Sequence, residues 1–133
     1  MRFFLSPLLL LSIVLLSACG LGAQSTAAVK SMTPAELQAL PRSADWQILD
    51  VRTPEEVAEG FIPAASHFLD FYAPDFATRL EKLDRNKKWV VYCRSGKRSS
   101  QAAQLMIDKG FTQVYNLQGG ISSWTGNIEH GGH

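Results

Sequence analysis

The chain has 133 residues, of which 46% are hydrophobic and 19% are charged, and its formal net charge is +1. This length predicts one domain, and the two fractions are those of a globular protein, which excludes a wholly disordered chain. The near-zero net charge gives no electrostatic reason to expect nucleic acid as a partner.

The N-terminal segment has the pattern of an export signal. Arg2 precedes an almost wholly apolar run over residues 3–16, which Ser and Pro interrupt and which is short for a membrane span. The following run Leu-Ser-Ala-Cys at residues 16–19 resembles the lipobox of bacterial lipoproteins. The resemblance implies a signal peptide over residues 1–18 and lipidation of Cys19. An ordinary secretory peptide and an uncleaved anchor are the alternatives.

The lipobox also implies a location and a domain plan. In the enteric lipoprotein pattern, a residue such as Gly20 after the cysteine implies export to the outer membrane, facing the periplasm. Residues 19–30 are small and polar, which predicts a flexible tether carrying the lipid. We expect the folded domain over residues 31–126 and a disordered tail over residues 127–133.

The first half of the folded region alternates helix signals with apolar runs. Residues 33–40 open with capping-box spacing and predict a short helix, and residues 46–51 predict a buried strand. A second cap signature predicts a helix within residues 53–60. A short strand within residues 64–69 and a helix over residues 75–83 follow.

The second half contains the strongest strand, residues 89–92, which are all apolar or aromatic. Residues 99–109 have helical spacing and end at Gly110. Residues 114–117 predict another strand, and a last helical turn follows near Trp124. This alternation predicts an α/β fold with a mostly parallel central sheet flanked by short helices.

Cys93 directly follows the strongest strand and begins the basic run Cys-Arg-Ser-Gly-Lys-Arg. Ligand sites of parallel sheets lie at the carboxyl ends of the strands, so Cys93 is the candidate nucleophile. The N-terminus of the next helix and three cations favour the thiolate and lower the pKa of Cys93. These cations are Arg94, Lys97 and Arg98. A buried, inert cysteine is the alternative, but such a site would not attract three cations.

The remaining loop residues suggest an anion cradle. Gly96 permits a tight turn, so that successive backbone N–H groups can converge on a sulfur or an oxyanion. Ser95 and Ser99 are candidate hydrogen-bond donors to the sulfur, and Ser99 is also a candidate cap of the following helix. Residues 94–98 are therefore the predicted substrate-binding segment.

Residues 92–99 resemble the active loop of the rhodanese-like sulfurtransferases. Three further segments are similar to motifs of that family and occur in the same order: residues 50–56, 60–65 and 117–124. Phe61 and Ala64 depart from the family pattern, which has His and Gly at these places. The resemblance covers nearly all of residues 31–126 and implies a small rhodanese-like domain.

The resemblance also implies a reaction. Cys93 would take a sulfur from an anionic donor such as thiosulfate, become a persulfide, and pass the sulfur to a thiol or cyanide acceptor. No metal or organic cofactor is implied. A non-catalytic persulfide carrier or sensor needs the same loop and is the alternative. The related phosphatases have an arginine six positions after the cysteine, where this chain has Ser99, which disfavours phosphatase and arsenate-reductase activity.

Other polar residues are assigned supporting roles. Asp50 and Arg52 either form an ion pair that steadies the active loop or act separately, as a turn cap and a surface side chain. His67 is expected to be a packed histidine and Trp124 a core residue. If Cys19 carries lipid, Cys93 is the one free thiol of the mature chain, and we expect a monomer.

Overall fold

The computed structural model describes residues 27–131. The predicted signal peptide, Cys19 and most of the tether lie outside the described residues, as do the last two residues of the predicted tail. Within residues 27–131, none of the helices has the length and apolar character needed to cross a membrane.

Five strands and four α-helices alternate along the described chain. The strands are β1 (Lys30–Met32), β2 (Trp46–Asp50), β3 (His67–Phe68), β4 (Lys88–Tyr92) and β5 (Val114–Leu117). The helices are α1 (Pro34–Ala39), α2 (Pro54–Ala58), α3 (Phe76–Leu80) and α4 (Lys97–Asp108), and a 3-10 turn (Gly120–Ser123) follows β5. The strands form one parallel sheet in the order β1-β5-β4-β2-β3. The predicted α/β class with a central parallel sheet is confirmed.

The two capping signatures form as the sequence predicts. In α1 the Thr33 side chain caps the Glu36 N–H and Glu36 caps the Thr33 N–H, and Thr53 and Glu56 repeat this arrangement in α2. Both helices have Pro at the first helical position. Helices this short are not stable alone in water, so each depends on packing its buried residue against the sheet.

Strand β4 lies at the centre of the sheet, and its side chains are buried on both faces. Trp89, Val91 and the following Cys93 join the apolar cluster beneath α3 and α4. Val90 and Tyr92 join the cluster on the opposite face, beneath α1 and α2. The fold therefore has three layers, and each fully buried large apolar side chain stabilises it by about 1.5–3 kcal/mol.

The folded region extends beyond both predicted boundaries. Strand β1 begins at Lys30, inside the predicted tether; it is a three-residue edge strand with only Met32 buried, so its apolar pattern is too short to detect. At the other end, Glu129 exchanges two backbone hydrogen bonds of 2.9 Å with Phe61, although residues 127–133 were expected to be disordered. A single antiparallel bridge leaves no periodic pattern in the sequence.

Candidate active site

Cys93 lies immediately after β4, which is flanked in the sheet by β5 and β2. Its side chain is only 1% exposed and continues the face formed by Trp89 and Val91. The candidate nucleophile is therefore at the carboxyl edge of the sheet, where a parallel fold presents its ligand site. A buried cysteine is either inert or activated, and the groups around its sulfur decide which.

The sulfur of Cys93 lies in a cradle of hydrogen-bond donors. The backbone N–H of Gly96 is 3.1 Å from Sγ, and the hydroxyl of Ser99 is 3.3 Å from it. The backbone N–H groups of Ser95 and Ser99 also help to lower the pKa of Cys93. Gly96 has φ +105°, in the left-handed region that favours glycine, and this conformation turns the loop around the sulfur. An inert apolar cysteine would have no such donors.

The cradle determines the ionisation of the thiol. Burial raises the pKa of Cys93, but the hydrogen bonds from Ser99, Gly96 and Ser95 together outweigh burial, and the pKa is lowered overall. Donors that point at the sulfur stabilise the charged form more than the neutral form. The buried Cys93 is therefore a candidate thiolate nucleophile.

The neighbouring cations contribute less directly than the sequence suggested. Arg94 and Lys97 are exposed, and within residues 27–131 their side chains form no hydrogen bond or ion pair. The backbone N–H of Gly96 points toward Sγ, whereas the side chains of Arg94 and Lys97 point to solvent. The hydrogen bonds of the cradle, and not Arg94 or Lys97, therefore lower the pKa of Cys93, while the charge of Arg98 interacts with the sulfur at longer range.

Arg98 is held by a carboxylate rather than left free for an anion. Its two terminal nitrogens lie 2.7 and 2.8 Å from the carboxylate oxygens of Glu56, and its guanidinium lies 5.6 Å from the ring centre of Tyr72. Glu56 is also the capping residue of α2. Arg98 therefore connects the first turn of α4 to α2, and its partner Glu56, 42 residues away, is not evident from the sequence.

Ser99 does not cap α4, which corrects that part of the prediction. The helix begins at Lys97, two residues earlier than expected, and Gly96 occupies the N-cap position. Ser99 therefore lies inside the first turn, fully buried, with its hydroxyl directed at Cys93 and at Asn116. Asn116 was not singled out from the sequence, although an amide within the otherwise apolar and aromatic strand β5 was an available signal.

The carbonyl side of the active loop rests on the 3-10 turn after β5. The N–H of Ile121 donates to the carbonyl of Cys93 at 2.9 Å, and the N–H of Ser122 donates to the carbonyl of Arg94 at 3.0 Å. Gly120 has φ +58°, and a Cβ there would lie 2.5 Å from both carbonyl oxygens. The absence of a side chain at Gly120 therefore permits the close approach that holds the loop in place.

Asp50 and Arg52 form the ion pair that was one of the two predicted alternatives. Arg52 Nη2 lies 2.8 Å from Asp50 Oδ2, and the two side chains are 6% and 0% exposed. Arg52 also donates to the carbonyls of Glu56 and Gly60, so the pair joins the end of β2 to α2. Its guanidinium lies 5.6 Å from the ring centre of Tyr92, the residue before Cys93. The pair supports the loop through this packing and makes no hydrogen bond to the sulfur.

The other polar residues lie away from the cradle. His67 packs edge-on against Trp89, and burial lowers its pKa. Trp124 packs against the apolar cluster on the α1 and α2 face. Among residues 27–131, no group of three His, Cys, Asp or Glu side chains could hold a metal ion. A cleft of about 710 Å³ opens beside α1 but includes none of the cradle residues. The candidate site is therefore identified by the hydrogen bonds to the Cys93 sulfur and not by the size of a cavity.

Comparisons with known proteins agree with this geometry. Residues 33–127 match the family model for the rhodanese-like domain. The chain is similar to the putative sulfurtransferase YtwF of Bacillus subtilis, with 38% identity over 105 residues that cover 79% of this chain and 91% of that protein. It is also similar to the thiosulfate sulfurtransferase GlpE of Stutzerimonas stutzeri, with 31% identity over 105 residues, covering 76% and 93%.

A solved structure shows the same fold. The crystal structure of a rhodanese-like domain protein from Staphylococcus aureus superposes with a TM-score of 0.68 at 30% sequence identity, covering 78% of this chain and 100% of that one. The family match covers the cradle, the ion pairs around it and the 3-10 turn after β5. The chain belongs to the rhodanese-like family.

Proposed function

We propose that this protein is a sulfurtransferase that moves sulfur from an anionic donor such as thiosulfate to a thiol or cyanide acceptor. This proposal rests on one observation: the sulfur of Cys93 accepts hydrogen bonds from Gly96 and Ser99 at the carboxyl end of β4. Similarity to proteins named as sulfurtransferases supports the reaction class.

The first half-reaction loads the nucleophile. The Cys93 thiolate attacks the outer sulfur of thiosulfate, a new S–S bond forms, and the S–S bond of the donor breaks. Sulfite leaves with the electron pair of that bond, and the negative charge of the persulfide rests on its outer sulfur. The exposed cations Arg94 and Lys97 raise the local concentration of a dianionic donor.

The second half-reaction returns the enzyme to its starting state. An acceptor nucleophile attacks the outer sulfur of the persulfide, and the electron pair of the S–S bond returns to Cys93. Cyanide leaves as thiocyanate, and a thiol leaves as a persulfide. The cradle of N–H groups and the Ser99 hydroxyl stabilises the leaving thiolate.

Intact-mass measurement tests both half-reactions. The full chain, purified in detergent and incubated with thiosulfate, should gain one sulfur atom, and added cyanide should yield thiocyanate over many turnovers. Cys93→Ser should abolish both signals, whereas Cys19→Ala, the matched cysteine control, should retain them. If the wild type gains no sulfur, the proposal fails. If the persulfide forms but turnover stops after one cycle, the protein is a sulfur carrier.

We also propose that the domain is attached through lipid on Cys19 to a membrane of the cell envelope. The support is the lipobox-like run at residues 16–19. Several acyl chains anchor a protein firmly, because each buried methylene contributes about 0.8 kcal/mol. Fractionation of cells producing Cys19→Ala tests this anchor. A variant protein that stayed membrane-bound after signal cleavage would refute lipidation.

A further inference from the structure

The hydroxyl of Ser99 has two acceptors and one proton. Its Oγ lies 2.6 Å from Asn116 Oδ1 and 3.3 Å from Cys93 Sγ. Ser99 is fully buried, so water does not take the place of either partner. At any moment the hydroxyl donates to the amide or to the sulfur.

The orientation of the Asn116 amide is determined by its other hydrogen bond. Its Nδ2 donates to the carbonyl of Gly96 at 3.3 Å, and this carbonyl is an acceptor only. Oδ1 therefore faces Ser99 and can only accept. When Ser99 donates to Oδ1, a lone pair of its Oγ remains available to accept the S–H of a neutral Cys93.

We propose that Ser99 and Asn116 form a hydroxyl switch that follows the charge on Cys93, and this proposal rests on the proposed sulfur transfer. With a neutral thiol, Ser99 accepts the S–H and donates to Asn116. With a thiolate, the hydroxyl rotates and donates to Sγ, and Oδ1 of the half-buried Asn116 loses its hydrogen bond from Ser99. Asn116 is a positioning residue that competes with the sulfur for the Ser99 proton.

The switch applies to each half-reaction. The thiolate is the nucleophile of the first step and the leaving group of the second, and in both Ser99 donates to Sγ. In the persulfide the charge has moved to the outer sulfur, so Sγ is neutral and Ser99 donates to Asn116 again. The hydroxyl therefore stabilises the free thiolate over the loaded state and assists departure of Cys93 from the outer sulfur.

The charged groups around the switch largely compensate one another. Arg98 of α4 pairs with Glu56 of α2, and Arg52 pairs with Asp50 at the end of β2. Tyr72 packs on Arg98, Tyr92 lies at the end of β4, and the side chains of Arg94 and Lys97 are exposed. Burial raises the pKa of Cys93, and the hydrogen bond from the Ser99 hydroxyl is the main cause that lowers it. This agrees with a hydroxyl that reaches the sulfur.

A double-mutant cycle on thiol ionisation tests the switch. The pH dependence of Cys93 alkylation by iodoacetamide is measured for the full chain and for Ser99→Ala, Asn116→Leu and the double variant, with Cys19→Ala as the common background. Ser99→Ala should slow alkylation about tenfold at neutral pH, because a hydrogen bond to a charged group is lost. Asn116→Leu should accelerate it about threefold, because the competing acceptor is gone.

The cycle also separates this role from packing. In the Ser99→Ala background, Asn116→Leu should leave the alkylation profile unchanged, since Asn116 acts through the hydroxyl. An equal effect in both backgrounds, or slower alkylation in Asn116→Leu alone, would overturn the switch. When Asn116 is replaced, the carbonyl of Gly96 still accepts a hydrogen bond from the N–H of Ser100 at 3.0 Å. Asn116→Ala replaces Asn116→Leu if the larger side chain prevents folding.

The two proposals fail in different ways. Alkylation requires no sulfur donor, so the cycle gives its result even if the protein transfers no sulfur. Release of thiocyanate from preformed persulfide should be slowed about tenfold in Ser99→Ala, because the leaving thiolate is less stabilised. Unchanged release together with unchanged alkylation would show that the hydroxyl does not act on the sulfur.

Discussion

Arg98 and Glu56 are 42 residues apart in the sequence and form a two-pronged ion pair, with N–O distances of 2.7 and 2.8 Å. The same Glu56 carboxylate caps the backbone of Thr53 at 3.0 Å. One side chain therefore begins helix α2 and also fixes the first turn of α4, which follows the active loop. This arrangement makes the geometry of the loop depend on the ionisation of a residue outside it.

Acid should weaken the fold through Glu56. The hydrogen bond from Arg98 is the main cause that lowers the pKa of Glu56 from 4.5 to about 2. Because the folded pKa is below the unfolded one, the stabilisation is present above pH 4.5 and is lost as the pH falls toward 2. The pair is partly open to water, so we expect about 1 kcal/mol.

Urea unfolding of the wild type and Glu56→Gln across this pH window measures the effect. Glu56→Gln should be less stable at neutral pH and should lose less stability on acidification. Glu59→Gln, an exposed position just after the same helix, is the matched control and should follow the wild type. Parallel pH curves for the wild type and Glu56→Gln would contradict the assignment.

The buried ion pair between Asp50 and Arg52 predicts a large effect of one substitution. Asp50→Asn leaves the buried Arg52 guanidinium without its counter-charge, which should cost about 3–5 kcal/mol in free energy of unfolding. Asp45 lies 3.9 Å from Lys87 and is 74% exposed, so Asp45→Asn should change stability by less than about 0.5 kcal/mol. Denaturant unfolding of the two variants provides the comparison, and similar losses would show that burial does not decide the outcome.

Gly120 should tolerate no side chain. In Gly120→Ala the new Cβ would meet the carbonyl oxygens of Cys93 and Arg94, so the turn or the active loop must move. We expect a loss of about 3 kcal/mol and a large loss of sulfur transfer. Gly110 also has a positive φ but has only the Arg85 side chain near it, at 3.7 Å, so Gly110→Ala should cost about 1–2 kcal/mol and leave the cradle intact. Equal costs would show that backbone conformation alone matters.

The exposed cations of the loop should affect donor capture more than the chemical step. Arg94→Ala and Lys97→Ala remove solvent-exposed charges, so each should raise KM for thiosulfate about three- to tenfold at low salt with little change in kcat or stability. Lys82→Ala, an exposed lysine outside the loop, is the control and should not change KM. Steady-state kinetics at two ionic strengths provide the test, and a KM effect that persisted at high salt would point to a direct contact instead.

Several local features follow from the sequence alone. Neighbouring residues predict a strand from the apolar run at residues 89–92 and a tight turn from Gly96. They also predict two helix starts from the Thr-Glu spacings at residues 33 and 53. Their interactions span only a few positions, so they persist in almost any tertiary arrangement. The α/β class and the position of Cys93 after the central strand follow from the order of these elements.

The partners of the active loop depend on the tertiary structure. From the sequence, Arg98 is a cation close to Cys93, but in the fold it pairs with Glu56. Ser99 is a candidate cap from the sequence, but because α4 begins earlier, Ser99 is buried against the sulfur and Asn116. The sheet order places β4 between β2 and β5, and this brings residues of α2, α4 and β5 to one edge. No local pattern encodes that order, because the energy that selects it comes from packing between segments far apart in the chain.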